Sequence, residues 1–346
     1  MDRVIRVLVV DDSAYVRKVI TQMLSRSPFI EVVGTARDGA DALEQVELLS
    51  PDVVTLDLVM PGLDGVGFLR AQMARRPVAT LIVSIASESS EQVLAAFEAG
   101  AVDVVQKPTA LATEKVLEIA DELVAKVKAI AQVPLKQAAP PVSEQAAPPA
   151  PSARRGTFSM VVLGVSTGGP QALKQVIGSL PASFPVPIAV VLHMPVGYTD
   201  LYARSLGSVS ALAVAEARAG EPVRPGVVLI APAGRHLTFR RAEDGSVLTH
   251  LDTRPLDTPH RPAVDVLFQS AADIYRERVL GVVMTGMGTD GRNGAAWIKA
   301  QGGTVWTEAE ETCVVYGMPL AVVEAGLSDR QLPLTALAWA LEEIVS

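Results

Sequence analysis

The chain has 346 residues, 49% of them hydrophobic, and its 30 Lys and Arg against 38 Asp and Glu leave a formal net charge of −8. That length and apolar content support two ordinary domains with real cores, while the acidic balance and the lack of a basic block argue against nucleic acid as a partner, because phosphate binding needs clustered Lys and Arg. No apolar run approaches the roughly 18 residues needed to cross a bilayer, so no membrane insertion is expected; two aspartates and no small-residue cleavage site mark "MDRVIRVLVVDDS" as something other than a signal peptide; and Cys313, the only cysteine, excludes an internal disulfide and fits a reducing cytoplasm.

In chain order, "VIRVLVV" predicts a strand and "VRKVITQML" a helix with apolar residues at helical spacing. "IEVVGTA", "DVVTLDL", "ATLIVSI" and "AVDVVQK" predict four more strands, interleaved with the helical segments "GADALEQVELL", "VGFLRAQM", "EQVLAAFEAG" and "TEKVLEIADELVAKVKAI". Five βα units make a doubly wound parallel sheet whose site lies at the carboxyl ends of the strands. The Pro- and Ala-rich stretch 134–155, "PLKQAAPPVSEQAAPPAPSARR", has almost no large apolar side chain and predicts an extended linker. The alternation then resumes, with strands near 159–165, 186–192, 227–231, 279–284 and 303–307. The fold class is therefore α/β, with two doubly wound, mainly parallel-sheet domains: residues 1–127, a linker over 128–156, and residues 157–346. Cys313, with no base beside it, is expected to be a buried strand residue.

In the first domain Asp11 and Asp12 end strand one and Asp57 ends strand three. Neighbouring strand ends bring the three carboxylates together, and like charges at close range need a cation. An oxygen-only ligand set suits Mg²⁺, which keeps waters and bridges to phosphate. Lys107 at the end of strand five adds a positive charge, and Ser84 at the end of strand four adds a hydroxyl. Together they make a site for phosphorylating Asp57, although "DDS" taken alone could equally be a helix cap. "VDDSAYVRKVI", "DVVTLDLVMPGLDG" and "VVQKP" resemble the receiver domain of two-component response regulators, a flavodoxin-like fold, over residues 4 to about 125. The resemblance implies that Asp57 takes phosphate from a histidine kinase. It also implies that Asp11, Asp12, Asp57 and the backbone carbonyl of Val59 hold Mg²⁺, that Lys107 contacts the phosphoryl group, and that Ser84 follows it inward in support of the phosphorylated site. One departure is Val104, three residues before the lysine, where receivers usually carry Phe or Tyr.

In the second domain "GVSTG" fits G-x-S-x-G, the pattern of a serine exposed on a sharp strand-to-helix turn. Thr167, Gly168 and Gly169 can aim N–H groups at an oxyanion near a positive helix end, and Pro170 suits a first helical position. The alternative is that Ser166 or Thr167 only caps the helix. Of the four histidines, His193 alone shares the strand-end placement of Ser166 and is the candidate base. His236, His250 and His260 are expected to be structural or to lie near a substrate groove. Asp290, in the Gly-rich loop of "MTGMGTDGRNGA", is the candidate acid. The order Ser, His, Asp differs from that of α/β-hydrolases. A competing reading takes "GMGTDG" as a dinucleotide fingerprint with Glu308, 22 residues past Gly286, as its ribose partner.

"GVSTGGPQAL", "HMP", "APAGRHL", "HRPAVDVLF", "MTGMGTDGRNGA" and "TCVVYGMP" resemble the catalytic domain of the CheB family of chemotaxis protein-glutamate methylesterases, from about 158 to 345. The resemblance implies a Rossmann-like domain in which Ser166 is nucleophile, His193 base and Asp290 acid, with Thr167, Gly168, Gly169 and Met287 lining the site or supplying oxyanion donors. It implies hydrolysis of glutamate γ-methyl esters on the cytoplasmic domain of methylated chemoreceptors, release of methanol, deamidation of receptor glutamines and no cofactor for the esterase. A chemotaxis-type histidine kinase would be the phosphodonor, and the unphosphorylated receiver would cover the catalytic cleft. Leu192 before "HMP" and the "TEAEET" run depart from the family's usual Gln and Gln-Asp-Glu. Two other classes stay open on sequence: a response regulator whose second domain only binds a partner, and an esterase for another methylated protein.

Overall fold

The structure is a computed structural model that describes residues 3–84, 90–107, 113–132 and 158–345, with residues 90 and 113–118 described as backbone only. The chain separates into two compact units, Met1–Ala150 and Pro151–Ser346. The stretch 134–155 lies outside the described residues.

The first unit runs β1 (Ile5–Val10), α1 (Ala14–Leu24), β2 (Ile30–Ala36), α2 (Gly39–Leu49), β3 (Val53–Leu56), α3 (Gly65–Arg75), β4 (Ala79–Ser84), α4 (Ser90–Glu98), β5 (Asp103–Gln106) and α5 (Thr113–Ile130). α5 continues to Ile130, so helix occupies the first three residues of the expected linker. The strands pair in parallel in the order β2-β1-β3-β4-β5, the flavodoxin-like arrangement with a switch point between β1 and β3. β3 and β4 are buried throughout, as expected of strands covered by helices on both faces. Three helices start on sequence-local caps: Ser13 Oγ accepts from Val16 N–H, Asp38 from Asp41 and Asp64 from Gly67.

The second unit runs β6 (Met160–Val165), α6 (Gly169–Gly178), β7 (Ile188–Leu192), α7 (Thr199–Val209), β8 (Ala213–Glu216), β9 (Val227–Ile230), β10 (His236–Arg241), β11 (Val247–Asp252), α8 (Val264–Tyr275), β12 (Val279–Val283), α9 (Arg292–Ala300), β13 (Thr304–Glu308), α10 (Met318–Glu324), β14 (Arg330–Leu332) and α11 (Leu334–Val345). Seven strands form a parallel sheet in the order β14-β13-β12-β6-β7-β9-β8, and β10 and β11 form a separate antiparallel hairpin. The edge strands β8 and β14 were not expected from sequence. They are four and three residues long, and neither is fully buried, so neither shows the apolar run that marks β6 or β12. α8 packs so tightly on β6 that a side chain at Gly164 would collide with Val264. Val162, Leu267, Phe268, Val279 and Val305 anchor the core beneath it. Cys313 follows a short 3₁₀ turn rather than lying in a strand, and it is only partly buried; burial and the nearby Glu308, Glu311 and Glu310 push its thiol up, away from reactivity.

The candidate active and phosphoacceptor sites

In the first unit Asp11 and Asp57 are buried at the ends of β1 and β3, and Lys107 reaches in from the end of β5. Its Nζ stands 2.7 Å from Asp11 Oδ2 and 2.7 Å from Asp57 Oδ2. Ser84 closes β4 and is buried, and its carbonyl accepts the Lys107 N–H at 2.8 Å. Burial pushes the Asp57 carboxyl up, and the Asp11 charge adds to that, against the pull of Lys107 and the Val59 N–H. Lys107 is itself held above its ordinary value: burial opposes its charge, and the two carboxylates outweigh burial. One oxygen from each of Asp11, Asp12 and Asp57 lies within 4.8 Å of the others. Asp11 Oδ2 is buried and, though close to the ammonium, has no well-directed hydrogen bond. An oxygen-only cluster with an under-satisfied buried carboxylate fits a hard divalent cation such as Mg²⁺. Val59, half exposed, follows Asp57 by two residues. Val104 is buried in β5 opposite Ile82, with no aromatic ring at that position.

In the second unit the chain crosses from β6 to one side of the sheet, then returns to build β12 on the other. Open α/β sheets bind ligands at such a switch point, outside the carboxyl ends of the strands. Ser166 follows β6, His193 follows β7 and Asp290 lies in the loop after β12. Register places Val165 beside Leu192, and the His193 N–H donates to the Val165 carbonyl at 3.1 Å, so serine and histidine leave the sheet side by side. Ser166 is 8% exposed. Its N–H donates to the Thr285 carbonyl at 3.0 Å. Gly286 presses against it: a Cβ there would stand 2.8 Å from Ser166 Cβ and would also collide with Met318.

His193 Nε2 hydrogen-bonds Asp290 Oδ2 at 2.9 Å, and the two side chains are 8% and 10% exposed. His193 Nδ1 is buried with no hydrogen-bond partner among the described residues. The ring thus turns Nε2 to Asp290 and leaves Nδ1 unengaged. Ser166 and His193 do not hydrogen-bond each other among the described contacts, which is common before substrate arrives. Burial works against ionising Asp290, but the His193 hydrogen bond and charge, with the N–H groups of Asp265 and Val264, outweigh it and hold the carboxyl below its ordinary 3.8.

The oxyanion expectation needs one correction. Gly169 N–H donates to the Ser166 carbonyl at 2.7 Å to close the turn, so it is not free for an oxyanion. Gly168 takes a left-handed conformation with φ 79° and leads into α6, and its N–H has no hydrogen-bond partner among the described residues. Pro170 stands in the first turn, where no N–H is needed. Thr167 is buried, and its carbonyl accepts the Thr285 hydroxyl at 2.9 Å. Met287 follows Gly286 along the loop pressed on Ser166.

His260, expected to be structural or to lie near a substrate groove, stacks its ring on that of His193 with centroids 4.1 Å apart. Glu308 is fully buried, its Oε2 accepting the Thr285 N–H at 2.9 Å and its Oε1 the Thr312 hydroxyl at 3.0 Å. It braces the bend at Thr285, whose carbonyl accepts the Ser166 N–H, and a fully buried carboxylate so engaged cannot meet a ribose, which removes the dinucleotide reading. His236 is buried between the Pro255 carbonyl and the Ala263 N–H, and burial pushes its pKa down, as befits a structural histidine.

A receiver-type acidic pocket in one unit, and serine, histidine and aspartate at one sheet end in the other, define a response regulator with an α/β output unit. The description "CheB methylesterase" matches residues 161–341 and "Response regulator receiver domain" matches residues 7–119. Myxococcus xanthus protein-glutamate methylesterase/protein-glutamine glutaminase 5 is 53% identical over 335 residues, covering 96% of each chain. The Thermotoga maritima protein-glutamate methylesterase/protein-glutamine glutaminase is 42% identical over 348 residues, covering 99% of each. The crystal structure of the Thermotoga maritima CheB methylesterase catalytic domain matches with a TM-score of 0.53 and 47% identity, covering 54% of this chain and 99% of that one. The chain belongs to the CheB methylesterase family, with a response regulator receiver domain preceding the methylesterase domain.

Proposed function

We propose that this chain is a phosphorylation-regulated protein-glutamate methylesterase that also deamidates glutamines, with Ser166, His193 and Asp290 as its catalytic set. The observation that carries the reading is the His193 Nε2–Asp290 Oδ2 hydrogen bond of 2.9 Å, with a buried, unpartnered Nδ1 one strand from Ser166. His193 Nδ1 takes the Ser166 proton as Oγ attacks the ester carbonyl. The developing oxyanion meets the N–H groups of Gly168 and Met287. The imidazolium, steadied by Asp290, passes its proton to the leaving methoxide, which departs as methanol. Water then attacks the acyl-serine, giving its proton to His193, and the glutamate carboxyl leaves as Ser166 recovers its proton. With a glutamine substrate the leaving group is ammonia.

In the first unit Asp57 is the phosphoacceptor. Asp11, Asp12, Asp57 and the Val59 carbonyl would hold Mg²⁺, which supplies charge neutralisation at the phosphoryl oxygens. Lys107 would then turn from the carboxylates to the phosphoryl group, and the Ser84 hydroxyl would meet it from β4. The phosphodonor is a chemotaxis-type histidine kinase, and the substrates are methylated cytoplasmic regions of chemoreceptors. No helix among the described residues is long and apolar enough to cross a membrane, in keeping with a cytoplasmic enzyme. The test is methanol release from methylated receptor fragments with and without a small-molecule phosphodonor. Release that rises with phosphodonor and vanishes in Ser166→Ala supports the reading; release that survives Ser166→Ala overturns it.

A further inference from the structure

Asp290 is not fixed by its own loop alone. Its Oδ2 accepts the Val264 N–H at 2.8 Å and its Oδ1 the Asp265 N–H at 2.9 Å. These donors are the first turn of α8, a helix whose own N-cap residue, Ala263, has no side chain to cap with. Asp290 therefore caps α8 from the loop that leads into α9, while holding His193.

The arrangement is reciprocal. Asp265, in the first turn of α8, sends Oδ1 to the N–H groups of Gly291 (2.9 Å) and Gly294 (2.7 Å), and Oδ2 to Asn293 Nδ2 (3.1 Å). Gly291 is the N-cap residue of α9 and likewise offers no side chain. Each helix start is thus capped by a carboxylate beside the other. The close approach depends on glycine: a Cβ on Gly294 would stand 2.6 Å from Phe268 Cβ and 2.9 Å from Asp265 Cα. Two neighbouring carboxylates repel, and the positive ends of two helices offset that repulsion. The Asp290–Gly291 peptide is consequently gripped from both sides, and the oxygen that meets His193 has one place to be.

We infer that Asp265 is a positioning residue for the esterase: by capping α9 and locking the Asp290–Gly291 segment to α8, it fixes the Asp290 oxygen that orients His193. This rests on Ser166, His193 and Asp290 being the catalytic set. A group acting through Asp290 should have no effect once Asp290 is gone.

The experiment measures methanol release by the full chain for wild type, Asp265→Ala, Asp265→Asn, Asp290→Ala and the Asp265→Ala/Asp290→Ala pair. Asp265→Ala should lower kcat by about 10- to 100-fold, the scale of a misplaced catalytic group, with KM almost unchanged. Asp265→Asn keeps the Oδ1 acceptor and should restore most of the rate. In the Asp290→Ala background, Asp265→Ala should cost nothing further. The hydrogen-bonded His193 Nε2–H proton, followed by NMR on ¹⁵N-histidine-labelled protein, should shift or broaden in Asp265→Ala and return in Asp265→Asn. Equal losses in both backgrounds, or an unchanged kcat and resonance, overturn the inference. If Asp265→Ala does not fold, Asp265→Glu replaces it, since the longer acid displaces the acceptor; a wild-type kcat in that variant also overturns it. Failure of the catalytic reading looks different: release would survive Ser166→Ala, while the His193 resonance would still report on Asp265.

Discussion

The two units place their candidate sites alike, at the carboxyl ends of a parallel sheet, yet hold them differently. In the first, Asp11, Asp57 and Lys107 are joined chiefly by ion pairs, with the Ser13 and Val59 N–H groups each donating to one carboxylate. In the second, Asp290 and Ser166 are pinned by backbone: helix-start N–H groups on the acid, and the Thr285 carbonyl with Gly286 against the serine. A site whose charge must change on phosphorylation is built from side chains that can trade partners. A site whose geometry must not change is built into main-chain hydrogen bonds. The pKa directions follow the same division: the Asp57 carboxyl is pushed up and that of Asp290 is held down.

The largest effect expected from breaking this contrast is at Ser166. Its replacement by alanine should lower kcat on the order of 10⁶-fold, with the receiver still accepting phosphate from a small-molecule donor. Next, Gly286→Ala tests the backbone brace. Its Cβ would force Ser166 and Met318 apart, and a displacement of that kind should cost about 100-fold in kcat; a wild-type rate would show that the serine tolerates movement. Third, Asp57→Asn should abolish stimulation by phosphodonor while leaving basal methanol release intact. A full response in that variant would break the assignment of Asp57.

These expectations were unequally visible in the sequence. Ser166 and His193 each sit at a strand end, and Asp290 lies in the Gly-rich loop after β12; a parallel sheet gathers strand ends and the loops that leave them on one edge. The acidic cluster was legible for the same reason. The orientation of the His193 ring was not, since it depends on an acid 97 residues away. Nor was the loss of Gly169 as an oxyanion donor, which is a hydrogen bond inside the turn itself. The stacked His260 and the Asp265 cap involve loops brought together only by tertiary packing. β8 and β14 were missed because half-exposed edge strands carry too few apolar residues to signal themselves.

The smallest effect sharpens the contrast through pH. The Asp57 carboxyl has a raised folded value, so its contribution to stability is present below its ordinary 3.8 and is lost as pH rises through that raised value. Asp290 has a lowered folded value, so its contribution is present above 3.8 and is lost as pH falls through the lowered value. At neutral pH, Asp57→Asn should therefore raise the melting temperature of the first unit slightly, whereas Asp290→Asn should lower that of the second. Calorimetry on the full chain checks both, and a stabilising Asp290→Asn would reverse the comparison.

The order of strands in the second sheet has a consequence for synthesis. β6 emerges first in its unit, yet its neighbour on one side, β12, begins at Val279. A ribosome moving at about 5–20 residues per second exposes the serine and the histidine several seconds before the aspartate that orients the ring. Long-range parallel pairing of this kind is slow to nucleate, because loop closure must precede the contacts that reward it. The nascent chain thus carries Ser166 and His193 without Asp290 until well past the middle of the unit has been made, and any message truncated before codon 290 would yield a chain without that carboxylate.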